Sequence, residues 1–158
     1  SVDERFSLER ALKTLTGGLR EASFAIDLDI TGSEEGYSRP ALMALYRAAQ
    51  EGLTNVQKYA QASQVTLTVR FGEHLAHLVL RDNGRGFDPT ALDRRTATEQ
   101  RGFGLQGIRE RVELISGKMI LRSKPQQGTE LSVSVPKNPT ELVGGDWLSL
   151  QISRVGRQ

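Results

Sequence analysis

The stretch AAQEGLTNVQKYA, residues 48–60, decides how the rest of the chain is arranged. It ends a long run with an apolar period near 3.6, which predicts a helix that buries one face against a sheet. Successive helical residues are about 100° apart, so Glu51, Asn55 and Lys58 fall within roughly 60° of one another on a second face. An acid, an amide and a cation in one stripe are typical of a solvated surface, and they also suit a polar binding site.

Composition indicates a single soluble globular domain. The chain has 158 residues, of which 37% are hydrophobic and 25% charged, and this is enough to bury a real core. A net charge of +2 is too small to indicate a nucleic-acid partner or an acidic membrane surface. Cysteine is absent, which rules out disulfides and suits a reducing cytoplasm. No apolar run approaches the roughly 18 residues of a membrane span, so we expect a cytoplasmic chain without membrane contact, although its parent protein can be membrane-anchored.

Secondary-structure signals surround the central helix on both sides. Ser7 caps a short predicted helix, and Ser38 with Pro40 begins the long helix that runs to Ala60. The remaining predicted elements are a strand over 24–30, a hairpin of 65–71 with 75–80, a polar loop over 89–101, a helix over 105–115 and a hairpin of 119–123 with 129–135. The order predicts an α/β fold: a two-layer α/β sandwich with a mixed, mostly antiparallel sheet and helices on one face.

The domain is predicted to end near the prolines at 136 and 139. We therefore assign residues 1–139 to the domain and 140–158 to a C-terminal tail. The tail alternates apolar and polar residues around Trp147, which predicts an extra strand or a docked arm.

A second polar cluster, Asp82-Asn-Gly-Arg-Gly-Phe87, follows a predicted strand. Closely spaced glycines allow positive φ and a near approach of the backbone to a ligand. An ionised aspartate only accepts hydrogen bonds, which suits an exocyclic amine such as that of adenine. A plain turn explains the same residues, because Asp-Asn-Gly is common turn chemistry.

A third cluster, Gly102-Phe-Gly-Leu-Gln-Gly107, opens the helix near Leu105. Free N–H groups at a helix N-terminus favour phosphate. The string also satisfies G-x-G-x-x-G, but the dinucleotide fingerprint must follow a strand directly and have an acid about 20 residues later, and neither condition is met here. A Walker loop is excluded because Met119 follows the Gly117-Lys118 pair.

Together these clusters resemble a known family. Glu51-x-x-x-Asn55-x-x-Lys58-Tyr59-Ala60 resembles its N box, Asp82-x-Gly84-x-Gly86 its G1 box, Gly102-x-Gly104-Leu105 its G2 box, and Gly128-Thr129 its closing strand. The chain is similar to the catalytic ATP-binding domain of bacterial sensor histidine kinases, in the Bergerat superfamily of gyrase, Hsp90, histidine kinases and MutL. The core motifs cover residues 41–136. A Leu-Tyr-Arg-x-x-Gln-Glu lead-in and Gly-Ile-Arg-Glu-Arg at 107–111 resemble the nitrate-sensor-like subgroup.

The resemblance implies a role for each motif residue in binding ATP and Mg²⁺. Asn55 would place its amide oxygen on Mg²⁺, Lys58 would meet phosphate, and Tyr59 would lie against adenine, where many relatives have histidine. Asp82 would accept the adenine amine, with Thr129 helping directly or through water. The remaining binding residues implied are Gly84, Gly86 and Phe87 near the base and Gly102, Phe103, Gly104 and Leu105 near the phosphates.

Catalysis and lid closure are further implications of the resemblance. Glu51 is the implied catalytic residue, either orienting a metal-bound water or assisting proton transfer. Residues 89–101 would form a flexible ATP lid, whose Arg94, Arg95 and Arg101 would be near phosphate or simply solvated.

The phosphate acceptor of a histidine kinase is a histidine on a dimerising helical hairpin. Only His74 and His77 are present, both in or beside a predicted strand and without helical acceptor context. We therefore expect the acceptor hairpin to lie outside this chain, in a full-length protein that forms a homodimer and serves a response regulator. Three alternatives remain open: an anti-sigma-type serine kinase, a stand-alone ATPase on the same fold, and a non-catalytic nucleotide-sensing module.

Overall fold

A computed structural model of the chain describes residues 6–19, 21–90 and 103–138. Within these ranges a five-stranded sheet, in the order β1-β2-β3-β5-β4, carries three helices on one face. The strands are β1 (Ala25–Thr31), β2 (Gln64–Phe71), β3 (Leu75–Asp82), β4 (Lys118–Ser123) and β5 (Thr129–Pro136). The helices are α1 (Leu8–Gly17), α2 (Arg39–Asn55), which continues as a π-helical turn over Val56–Ala60, and α3 (Phe103–Leu114). This confirms the predicted two-layer sandwich.

Capping fixes where the first two helices begin. The Ser7 hydroxyl accepts a hydrogen bond from the Arg10 amide at 3.2 Å, and the Ser38 hydroxyl accepts one from the Ala41 amide at 3.2 Å. Each bond satisfies an N–H group that has no partner inside its helix, and Pro40 in the first turn of α2 needs no such partner. Both helix starts predicted from the sequence are confirmed.

The sheet is mostly antiparallel. β2 pairs antiparallel with β3, and β5 pairs antiparallel with both β3 and β4, which confirms the two predicted hairpin pairings. Among the strands that the structure describes, β1 alone runs parallel to its neighbour, beside β2 at one edge. Strand residues alternate between the two faces, and the helix-facing set includes the buried Leu67, Leu78 and Val133.

The core lies between this face and α2. Ala41, Leu45, Ala48, Ala49 and Leu53 on α2 are buried and pack into one cluster with the strand residues. α1 packs on α2 and β1, and α3 packs on α2, β4 and β5. The apolar stripe predicted for residues 48–60 therefore faces the sheet, as expected from its period.

At the end of the sheet where the β2–β3 turn lies, Tyr37 holds the turn through one hydrogen bond and one ring contact. The Tyr37 hydroxyl donates to the Gly72 carbonyl at 2.6 Å, and its ring meets Phe71 edge-on at a centroid distance of 5.2 Å. Burial raises the pKa of Tyr37, with the Gly72 bond opposing it. This end of the sheet is about the length of β3 away from Asp82, at the other end of the strand.

The predictions for the lid and the tail fall mostly on residues that the structure does not describe. Most of the predicted lid (residues 91–101, with Arg94, Arg95 and Arg101), and residues 140–158 of the predicted tail, lie outside the described residues. No helix in the described part of the chain is long and apolar enough to cross a membrane.

Two helical glycines give opposite predictions for stability. A Cβ on Gly52 would meet Leu80 Cδ2 at 2.5 Å, whereas one on Gly107 would meet nothing within 4 Å. We expect Gly52→Ala to lower the free energy of unfolding by about 1 kcal/mol, since overpacking outweighs the gain in helix propensity. Gly107→Ala should raise it by about 0.5–1 kcal/mol. Urea unfolding midpoints at constant m-value measure both, and a stabilised Gly52→Ala would contradict the close packing of α2 on the sheet.

Candidate functional site

A pocket opens where α2 and its π-turn cross the ends of β3, β4 and β5, beside the first turn of α3. It is lined by residues from all these elements: Gly52, Asn55, Val56, Tyr59, Ala60, Leu80, Asp82, Gly86, Phe87, Leu105, Leu121, Thr129 and Leu131. Seven of the residues predicted for the site are in this lining: Asn55, Tyr59, Asp82, Gly86, Phe87, Leu105 and Thr129. The three sequence clusters therefore meet in one place.

On the sheet side, the pocket is bounded by two rows of side chains that run across three strands. Asp82 pairs with Thr129 on β5, and Thr129 pairs with Ser123 on β4. Because directly opposed residues share a face of the sheet, the three polar side chains form one row. Two residues further into the sheet, Leu80 pairs with Leu131, and Leu131 pairs with Leu121, which gives an apolar row behind the polar one.

The apolar row was not predicted as part of the site. All three leucines were assigned only to strands, although Leu80 and Leu131 each lie two positions along their strand from a predicted site residue, Asp82 or Thr129. Strand periodicity puts residues i and i±2 on the same face, so this signal was present in the sequence. A flat apolar floor ending in a row of polar groups suits a ring with a polar edge.

Asp82 is the buried acid of the site, with 6% of its surface exposed. Its Oδ1 accepts the Gly84 amide hydrogen at 2.8 Å. Burial raises the pKa of Asp82, and hydrogen bonds from the Gly84 and Thr129 backbone amides oppose that rise. A carboxylate buried at the polar edge of a partly apolar pocket is a hydrogen-bond acceptor that has lost much of its hydration.

Ser123 links the loop after β3 to the start of β5. Its hydroxyl accepts from the Phe87 amide at 2.9 Å, donates to the Gly128 carbonyl at 2.9 Å, and lies 2.9 Å from the Thr129 hydroxyl. Ser123 was not predicted as a site residue, because one serine in a strand carries no signal without the register.

The glycines beside Asp82 let backbone segments approach one another. A Cβ on Gly84 would overlap the Ala60 carbonyl at the end of the π-turn, and one on Gly86 would overlap the Lys124 carbonyl. Gly86 also has φ +59°, which favours glycine. Their predicted approach to a bound base stays a prediction, and the contacts described here are between parts of the protein.

The π-turn displaces the polar stripe of the long helix. Asn55 and Tyr59 line the pocket, but Lys58 is exposed and is not part of the described lining. The predicted stripe assumed α-helical spacing throughout, and a turn of i→i+5 type has more residues per turn, so Lys58 points further from Asn55 than expected. The Arg85 side chain donates from Nε to the Tyr59 carbonyl at 2.7 Å, and its amide donates to the Ala60 carbonyl at 2.7 Å, which anchors the turn to the loop after β3.

Glu51 lies against the beginning of α3. A Cβ added to Gly104 would overlap the Glu51 carboxylate, so a larger residue at this position would require Glu51 to move. A negative charge at a helix N-terminus is stabilised by the helix dipole. The predicted catalytic residue and the predicted phosphate-binding helix are therefore in contact. Gly102 and the side chain of Phe103 lie outside the described residues.

Comparison with known proteins assigns the family. Residues 42–139 match the family model described as "Histidine kinase-, DNA gyrase B-, and HSP90-like ATPase". The chain is 34% identical to the signal transduction histidine-protein kinase/phosphatase DegS of Brevibacillus brevis, over 70% of this chain and 27% of the relative. It is 35% identical to UhpB of Salmonella typhimurium, a protein of the same description, over 83% of this chain and 25% of the relative. The chain thus spans about a quarter of the length of these curated relatives.

Solved structures agree at the level of the fold. The blue-light activated histidine kinase of Erythrobacter litoralis EL346 has a TM-score of 0.64 at 13% identity, covering 86% of this chain and 42% of that one. The histidine kinase AdeS of Acinetobacter baumannii has a TM-score of 0.59 at 15% identity, covering 83% and 63%. The resemblance inferred from the motifs is confirmed, while the nitrate-sensor-like subgroup stays a prediction. The chain belongs to the family of histidine kinase-, DNA gyrase B- and HSP90-like ATPases, and is an ATP-binding domain of the kind found in sensor histidine kinases.

Proposed function

We propose that this chain binds ATP with Mg²⁺ and transfers the terminal phosphoryl group to a histidine on a dimerisation hairpin that is not in this chain. The domain comprises residues 1–139, with 140–158 as a tail. The full-length protein works as a homodimer in the cytoplasm and passes the phosphoryl group to a response regulator. The single observation that carries this proposal is the meeting of Asp82, Thr129, Asn55 and Leu105 around one pocket with an apolar floor.

Adenine binds at the sheet end of the pocket. The ring lies on the apolar floor of Leu80 and Leu131, with Tyr59 and Phe87 at its sides. The Asp82 carboxylate accepts a hydrogen bond from the exocyclic amine, and Thr129 lies beside it in the same row. Burial of this carboxylate favours a ligand that replaces the hydration Asp82 has lost.

The phosphates extend toward the first turn of α3. The N–H groups of this turn have no acceptor inside the helix, and the lack of a side chain on Gly104 leaves them open to an anion, with Gly102 as a further proposed phosphate-binding residue. Lys58 is exposed at the rim, where a long flexible cation can reach phosphate from solvent. Lid closure by residues 89–101 would then exclude water from the phosphates.

The residues present fit Mg²⁺. The Asn55 side chain lines the pocket and offers an uncharged oxygen, and the Glu51 carboxylate lies one helical turn earlier, so the donors are the oxygen atoms that a hard cation prefers. When bound, Mg²⁺ would supply positive charge that stabilises the phosphates during transfer. Asn55 would hold the ion, and Glu51 would orient water near it or assist proton transfer from the acceptor histidine.

The acceptor comes from outside the chain. His74 lies in the β2–β3 turn and His77 on the open face of β3, and both are exposed. At about 3.3 Å per strand residue, these positions are roughly 26 and 17 Å along the strand from Asp82. A transferring phosphoryl group must be nearly in contact with its acceptor, so neither histidine suits the role.

The metal role of Asn55 is tested by ATP titration with and without Mg²⁺. We expect Asn55→Ala to remove most of the Mg²⁺-dependent gain in affinity, at least about tenfold, because its amide oxygen is the ligand. Gln57→Ala, which removes an exposed amide two residues away, serves as the matched control. An Mg²⁺-dependent affinity that is unchanged in Asn55→Ala refutes the assignment.

The base-recognition role of Asp82 is tested by comparing ATP with GTP. Asp82→Asn should weaken ATP binding by about tenfold or more and reduce the preference over GTP, since a charged acceptor is lost. Asp29→Asn, on an exposed position of β1, is the control. Equal binding of ATP and GTP by the unaltered chain would count against adenine recognition by Asp82.

The pH dependence of the Asp82 site has a defined sign. Because burial raises the pKa of Asp82, the accepting carboxylate is lost at a higher pH than for an exposed aspartate. ATP affinity should therefore fall as pH is lowered through this raised pKa. Over the same interval the folded state binds more protons at this site than the unfolded state, so the contribution of Asp82 to stability increases. Relative to Asp82→Asn, the unaltered chain should therefore lose ATP affinity and gain in unfolding midpoint as the pH falls through this interval.

Phosphoryl transfer is tested with γ-labelled ATP. The chain alone should bind ATP but retain no stable label, and the His74→Gln/His77→Gln double variant should behave identically. Label on either histidine would contradict an external acceptor. Rapid conversion of ATP to ADP and phosphate by the chain alone would favour the ATPase alternative. Label on a serine of an added partner protein would favour the serine-kinase alternative.

A further inference from the structure

The Ser123 hydroxyl has three partners but only one proton. The Phe87 amide can only donate to it, and the Gly128 carbonyl can only accept from it. The serine proton is thereby used on Gly128, which is buried and needs a partner. In the remaining contact, 2.9 Å between Ser123 Oγ and Thr129 Oγ1, the proton must come from Thr129.

The Thr129 hydroxyl therefore offers the pocket only its lone pairs and no proton. Once its single proton is given to Ser123, its hydroxyl oxygen can accept but not donate. When it is ionised, Asp82, the neighbour of Thr129 across β3 and β5, can accept hydrogen bonds but cannot donate one. The polar row therefore presents two adjacent acceptors, and both are at the edge of the pocket where a ring would end.

Two adjacent acceptors match one chemical group on a purine and reject another. An exocyclic amine carries two N–H donors, and each can meet one acceptor directly or through a water. A carbonyl oxygen at the same ring position would face two acceptors with no proton between them, and in a buried site such a mismatch is expensive. The discrimination thus depends on where the Thr129 proton is.

We infer that Ser123 determines nucleotide specificity by holding the Thr129 hydroxyl as an obligate acceptor beside Asp82. Ser123 does not line the pocket in the described structure, so it acts through Thr129 and is a positioning residue. This rests on the proposed binding of adenine. Ser123 is itself 9% exposed, so bulk solvent is a poor substitute for its hydroxyl.

The test is the ratio of GTP to ATP dissociation constants, measured by calorimetric titration. Ser123→Ala frees the Thr129 proton to donate to a carbonyl, and we expect the preference for ATP to fall about tenfold. Ser123→Cys, similar in size but a weak hydrogen-bonding group, should change the ratio in the same direction if Ser123→Ala does not fold. Ser134→Ala removes a hydroxyl from the opposite face of β5 and should leave the ratio unchanged.

A double-mutant cycle separates positioning from a structural role. In a Thr129→Val background there is no threonine proton to hold, so Ser123→Ala should cause no further change in the ratio. A purely structural effect, through the Phe87 amide or the Gly128 carbonyl, would weaken both nucleotides alike and persist in the Thr129→Val background.

The outcomes also distinguish this inference from the proposed function. If the unaltered chain binds ATP and GTP equally, adenine recognition itself fails and the role of Ser123 fails with it. If the unaltered chain prefers ATP and Ser123→Ala keeps the full preference, the proposed function stands and the role of Ser123 is overturned.

Discussion

The pairing of β5 with two antiparallel neighbours is the constraint on which the site depends. Asp82, Thr129 and Ser123 come from three strands, and only this register brings them into one row. The same register places Leu80, Leu131 and Leu121 in the apolar row behind them. Helix α2 can cross this surface closely because Gly52 presents no side chain to Leu80 and Leu131. The polar row, the apolar floor and the helical wall of the pocket therefore all follow from one strand register and the close packing of α2 on it.

Asp82, the buried acid in this row, loses hydration when the chain folds, and a ligand that donates a hydrogen bond to its carboxylate would compensate for that loss. Desolvation raises the pKa of Asp82, and two backbone amides restore only part of the lost hydration. Replacement of this residue by an apolar one would remove the penalty in the free protein, so the charge is better explained by recognition than by folding. The charge of Glu51 is likewise better explained by function than by folding. Its contact with the first turn of α3 places an acid where the proposed phosphates must also be accommodated.

Much of the fold could be predicted from the sequence because its signals are local. Ser7 and Ser38 indicate where two helices begin, and the alternation over 65–71 and 129–135 indicates strands. The secondary-structure elements and the strands that pair could therefore be predicted. The family motifs likewise identified most of the polar pocket residues. The π-turn could not be predicted, since the hydrogen bonds that Arg85 donates to the Tyr59 and Ala60 carbonyls come from a loop more than twenty residues away. Ser123 was missed for the same reason: its chemistry is ordinary, and its importance comes entirely from the strand register.

The connection between β4 and β5 has a consequence for how this domain tolerates change. Loops usually accept insertions and deletions, but residues 124–128 separate Ser123 from Thr129, and those two must be partners across the strands. Because side chains alternate faces, a length change that shifted β5 by one residue would turn Thr129, Leu131 and Val133 outward together. The length of this loop is therefore as much a part of the binding site as any side chain, and homologous domains that keep the site should vary the sequence of residues 124–127 far more freely than their number.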